Sequence, residues 1–148
     1  MNTTFTRPNL SLEASQYLVK CAIEKAQELG MNISVSVLDH AGRLRSFASM
    51  DQAPHVSLET AVKKAKTALG FGLPTGDTWY QFIKDDPILM TGAQQLPDFI
   101  LLGGGSPLKA GNQIIGAIGV SGGHYAQDEK CVRHALDALK TVDPNFNA

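Results

Sequence analysis

Apolar positions along this chain switch repeatedly between a helical period and a strand period. Leu12, Ala14, Tyr17, Leu18, Cys21, Ala22, Ala26 and Leu29 recur at helical spacing, which predicts a first helix. Ser11 stands where an N-cap belongs, Glu13 favours the helix dipole, and Gly30 supplies the stop. Ile33, Val35 and Val37 then alternate with Asn32, Ser34 and Ser36, the two-residue period of a half-buried strand. Asp39-His40-Ala41-Gly42 reads as a turn, and Arg43 to Ser49 as the returning strand of a hairpin. Leu44 and Phe47 break the alternation of that second strand, so its register is open.

Ser57 caps a second predicted helix to Leu69, whose Ala61, Ala65 and Ala68 form a narrow face suited to close approach by a sheet or a partner subunit. Pro74 breaks the chain, and Thr75 caps a short helix carrying Trp79, Phe82 and Ile83 before the Asp85-Asp86-Pro87 stop. One or two further turns fit Ile88 to Gln95. Phe99 to Leu102 predicts a third strand, Pro107-Leu108 a short one, and Gln113 to Ser121 the last. A final helix covers Ala126 to Lys140, with Cys131, Val132, Ala135, Leu136 and Leu139 inward. The order is α-β-β-α-α-β-β-α. Its short hairpin links predict an α+β fold with a mainly antiparallel sheet. No repeat or linker interrupts it, so residues 1–148 read as one domain.

Composition narrows the classes. A net charge of −1 gives no electrostatic footprint for nucleic acid or an anionic membrane. No apolar run is long enough to cross a bilayer, and the N-terminal Met1-to-Ser11 stretch lacks the apolar core of a signal peptide. Cys21 and Cys131 fall among apolar neighbours on helices, which predicts buried free thiols in a cytoplasmic protein.

Chemistry concentrates in two glycine-rich loops. Gly103-Gly104-Gly105-Ser106 enters the final hairpin, and Ser121-Gly122-Gly123 leaves it just before Gln127-Asp128-Glu129 opens the last helix. Exposed glycine N–H groups can approach a ligand carboxylate or enolate oxygen directly. Two carboxylates in the first helical turn argue against a phosphate at that helix end, and no phosphate-loop motif is present. Asp128 and Glu129 are candidate proton carriers, and His124 is the candidate partner group. The bland reading of the same residues is helix capping. His55 and His124 lie in loops beside these walls, His40 in the hairpin turn is a further candidate contact, and Arg43 and Lys64 are candidate cations for a ligand carboxylate. The four His lack zinc-type spacing.

Several blocks resemble a known family. Val37-Leu38-Asp39-x-x-Gly42-x-Leu44, Met50-Asp51-x-Ala53, Ala61-x-x-Lys64-Ala65-x-Thr67-Ala68, Gly104-Gly105-x-Pro107-Leu108 and the run from Gly116 to Glu129 look like the haem-binding and haem-degrading GlcG/HbpS-like family. That family includes the C-terminal domain of PduO. The resemblance spans Leu10 to Lys140. It implies a profilin-like domain, a five-stranded antiparallel sheet flanked by helices, and homo-oligomers. It also implies haem as ligand, in a protein accessory to catabolic enzymes. The helix-borne His associated with haem in the PduO-type domain has no counterpart in the first helix, where Tyr17 is the one ligand-type candidate. Tyr17 and His55, with His124, are therefore the candidate iron ligands.

Three functional readings remain open on the sequence. The first is a haem-binding or haem-degrading accessory protein. The second is a tautomerase, hydrolase or lyase acting on a small organic acid through His124, Asp128 and Glu129, with Gly104, Gly105, Ser121, Gly122 and Gly123 around the ligand. The third is a non-catalytic oligomeric accessory protein.

Overall fold

The computed structural model describes residues 1–147. Its elements are α1 (Leu12–Glu28), β1 (Ser34–Asp39), β2 (Leu44–Ser49), α2 (Ser57–Phe71), α3 (Asp77–Ile83), α4 (Pro87–Gly92), a short 3-10 turn (Ala93–Gln95), β3 (Gly105–Ala110), β4 (Gln113–Ser121) and α5 (Tyr125–Val142). The strands form a four-stranded antiparallel sheet in the order β2-β1-β4-β3. The fold is α+β as expected, but the expected fifth strand at Phe99–Leu102 is absent. Asp98 adopts a left-handed φ of 61° just before it. The Ile100 N–H then donates to the Thr67 hydroxyl, and the Leu101 carbonyl accepts from Gly76 N–H. Backbone groups committed to other loops cannot form a ladder.

α1 and α5 pack together on one face of the sheet and enclose the main core, including Leu18, Val35, Val37, Ile118, Val120, Cys131 and Leu139. α2 covers the other face with small residues: Ala65 and Ala68 meet Leu38 and Ala117. The alanine face thus serves the chain's own sheet. β1 is consequently buried on both faces, not half-buried. Its serines are compatible with burial because each is bonded: Ser36 Oγ donates to the Ala61 carbonyl at 2.8 Å, and Ser34 and Ser57 hydroxyls meet at 2.8 Å. Gly119 makes this close approach possible, since any side chain there would overlap the Ala61 carbonyl.

The irregular pattern of β2 has a structural cause. Leu38 pairs with Leu44 but Val37 pairs with Ser46, so Arg45 is the extra residue of a bulge. The bulge returns Leu44 and Phe47 to one side, the side of α2. Other boundaries also move. Ser11 caps α1 as predicted, its hydroxyl accepting from Ala14 N–H at 3.1 Å. Ser57 is inside α2, not its cap: its hydroxyl donates to the Pro54 carbonyl. Thr75 does not cap α3, because its hydroxyl accepts from Gly105 N–H at 2.8 Å. Cys21 and Cys131 are buried free thiols.

Candidate functional site

The start of β3 and the start of α5 bring most of the predicted polar residues together. Lys64 projects from α2 and Asp128 from α5, elements on opposite faces of the sheet, and they meet where β3 begins. Lys64 Nζ donates to Asp128 Oδ2 at 2.8 Å and to the Val120 carbonyl at 2.9 Å. Both residues are 1% exposed. Gly104 is what lets the ammonium pass, because a side chain there would press on Lys64 Nζ, Asp128 and the Val120 carbonyl. Burial pushes the Lys64 ammonium below its ordinary pKa, against the pull of Asp128 and Glu129. Asp128 Oδ1 accepts from Gly123 N–H at 3.0 Å. Lys64 is therefore an internal cation held by a carboxylate, and it has no exposed charge for a ligand.

Outside Gly104 lies a cavity of about 390 Å³. Thr75, Gly104, Gly105 and Ser106 form one wall, Asp77 and Thr78 of α3 another, and one face of α5 the third. That face is Glu129, Val132, Arg133, Leu136 and Asp137, spaced at helical intervals. The Glu129 carboxylate lies over Gly103 and Gly76, filling the space their missing side chains leave.

A second concavity, of about 470 Å³, lies between β2 and α2. Leu44, Phe47, Leu58 and Val62 give it an apolar lining, with Lys63, Lys66, Glu59 and Asp98 at its rim. Leu44 is 54% exposed and Phe47 39%, so this is uncovered apolar surface in a single chain. Lys66 and Asp98 form an exposed pair at 3.2 Å, an interaction weak enough to yield to a ligand.

The remaining predicted residues separate. Ser121 pairs with Ser34 at one end of β1, while Asp39 pairs with Gly116 at the other. His40 and Arg43 therefore lie roughly 17 Å along the strand from Ser121, Gly122 and Gly123. Arg43 holds the buried Asp39 carboxylate through Nε and Nη2, both at 2.9 Å, a structural task in the hairpin turn. Desolvation pushes Asp39 upward, but hydrogen bonds from Arg43, Asn9 and Ala41 outweigh it and hold its pKa at about 2. His124 caps α5, its Nδ1 accepting from Ala126 N–H at 3.1 Å. That bond occupies Nδ1 and puts the proton of the neutral ring on Nε2. The Gly105 and Gly123 N–H groups, expected to face a ligand, are committed to Thr75 and Asp128. Tyr17 lies beside the Cys21 thiol, which raises its phenol pKa and opposes the phenolate an iron ligand needs. Burial raises Cys21 and pushes Cys131 up to about 11, so neither is a thiolate near neutral pH. His55 precedes α2 and is exposed, with no side-chain hydrogen bond among the described residues.

Sequence reading missed the groove residues Phe47, Lys63 and Lys66 and the cavity residues Asp77, Ser106, Arg133 and Asp137. The helical spacing of Arg133 and Asp137 from Glu129 was an available signal. The bulge that turns Phe47 toward α2 was not.

The sequence profile described as haem degrading protein HbpS-like matches residues 10–137. The chain is 28% identical over 96% of its length, and 100% of the relative's, to an uncharacterised 15.0 kDa protein from the dhaT–dhaS intergenic region of Citrobacter freundii. A crystal structure of a double mutant of HbpS from Streptomyces reticuli superposes with a TM-score of 0.83 at 28% identity, over 92% of this chain and 90% of that one. A crystal structure of a PduOC–haem complex superposes with a TM-score of 0.76 at 28% identity, over 88% of this chain and 94% of that one.

Proposed function

We propose that this chain is a haem-binding accessory protein, from the premise that it belongs to the HbpS-like family of haem degrading proteins, whose profile spans residues 10–137. The observation that carries the reading is its likeness, in fold and sequence, to a chain crystallised with haem. Haem asks for an apolar slot, cations for its propionates and an axial donor such as His, Cys, Met or Tyr.

The groove between β2 and α2 fits the first two requirements. Leu44, Phe47, Leu58 and Val62 would lie against the porphyrin, and Lys63 and Lys66 would meet its propionates. The groove's volume of about 470 Å³ is within the usual range for ligand sites. Among the predicted ligands, His55 is the one whose side chain makes no hydrogen bond among the described residues, and it precedes Leu58 by a single turn. Bound there, haem would supply the iron redox and oxygen chemistry, while the protein's share is an apolar seat whose rim carries Lys63 and Lys66 beside Glu59 and Asp98. The cavity beside Gly104 does not fit, because its Asp77, Glu129 and Asp137 carboxylates would repel propionates.

The small-acid enzyme reading has less support: Asp128 is committed to Lys64, His124 to a cap, and the Gly105 and Gly123 N–H groups to Thr75 and Asp128. We also propose that the protein acts as a homo-oligomer. Uncovered Tyr80, Phe82 and Ile88, the last two 61% and 83% exposed, support that reading. A cytoplasmic setting accords with the two free thiols.

Titration with haemin tests the proposal. Wild-type protein should give a shifted, saturable Soret band, and His55→Ala should alter its position or weaken binding. An unsaturable spectrum identical to free haemin would remove the reading.

A further inference from the structure

We propose that the cavity walled by Thr75, Gly104–Ser106 and the outer face of α5 binds a small organic ammonium compound bearing hydroxyl groups. This goes beyond the haem reading and stands on a different part of the molecule. Three observations carry it.

The first is shape. The cavity holds about 390 Å³, enough for a small ligand, and is built from several elements: α3, the start of β3 and α5. The second is charge. Asp77, Glu129 and Asp137 line it against the single guanidinium of Arg133. The neighbouring Lys64 ammonium is bonded to Asp128 at 2.8 Å and attracts Glu129 only at longer range. Among the described residues no three His, Cys, Asp or Glu side chains converge as a metal site would require. The carboxylates are distributed around the wall, which suits an extended organic cation better than a point ion. Hydroxyls from Thr75, Thr78 and Ser106 complete the lining, giving partners for a ligand's own hydroxyls.

The third observation is the Glu129 carboxylate. It is half-buried over Gly103 and Gly76, where a side chain on either would collide with it. It makes no hydrogen bond or ion pair among the described residues. The backbone has been cleared to seat this group, yet no protein donor answers it. A ligand ammonium would form the charge-assisted hydrogen bond that the fold leaves unmade.

The test uses ligand-free protein and serinol, an ammonium with two hydroxymethyl arms, followed by amide NMR. Lactate at matched ionic strength is the anionic control. Serinol should shift the amides of Thr75, Gly104, Gly105 and Ser106 saturably, and lactate should not. Glu129→Gln keeps the side-chain size and should weaken binding about tenfold or more, the scale of a lost charge-assisted hydrogen bond. Arg133→Ala removes the opposing cation and should tighten it, which keeps the test open if the first variant misfolds. The proposal is overturned if serinol shifts no cavity amide, if lactate takes the same residues more tightly, or if both variants bind like wild type. Because no haem is present, none of these outcomes bears on the haem reading.

Discussion

Lys64 shows how a residue read as a ligand contact can be structural. Its spacing in α2 was legible, but its depth was not, because a lysine on a helix is ordinarily solvated. Depth comes from Gly104, which opens a passage through the sheet edge to Asp128. Removing one partner leaves a buried uncompensated charge. Lys64→Met should therefore cost about 3–5 kcal/mol in urea unfolding, whereas Lys64→Met with Asp128→Leu should recover much of the loss. A single-variant loss no larger than that of an exposed pair would contradict this account. Asp39 makes a second residue-scale prediction. Its folded pKa of about 2 lies below the ordinary 3.8, so its contribution is complete above pH 4 and disappears as pH falls through 2. Asp39→Asn should flatten that part of the acid-unfolding profile. An unchanged acid limb would show that the Arg43 and Asn9 contacts do not matter to stability.

At the scale of elements, helices were read well because caps and periodicity are local. Ser11, Gly30 and the α5 register follow from neighbours in sequence. The sheet was read less well, because a strand's second face is set by whatever lands on it. Alternating serines in β1 gave the pattern of a solvent face, but α2 covers them, and Gly119 and Ala117 on β4 provide the clearance. Likewise, Gly116 and Gly119 are packing devices: side chains there would overlap the Leu38 and Ala61 carbonyls. Gly119→Ala should push α2 off the sheet, with a cost of about 1–3 kcal/mol or more. Ser36→Ala, which removes the hydroxyl bond to the Ala61 carbonyl, should cost about 1 kcal/mol. Chemical denaturation reads both, and wild-type stability in Gly119→Ala would contradict the close approach of α2.

For the whole molecule, the family was legible from the Lys64, Gly104–Gly105 and Asp128–Glu129 blocks. Those blocks encode the internal pair that joins the layers. The groove proposed for haem was not legible, because its residues come from a bulged strand and the opposite side of α2. Oligomer formation belongs to this scale too. Sedimentation should find a symmetric assembly larger than one chain, and Phe82→Asp should shift it toward monomer if the α3–α4 surface is the interface. A wild-type monomer at micromolar concentration would remove that proposal. The central claim is that haem sits between β2 and α2. Haemin titration of wild type beside Phe47→Glu tests it most directly, since Phe47 lines the groove and is 39% exposed. The account predicts a saturable Soret change in wild type and at least tenfold weaker binding in the variant. Equal binding by both proteins, or none by wild type, would contradict it.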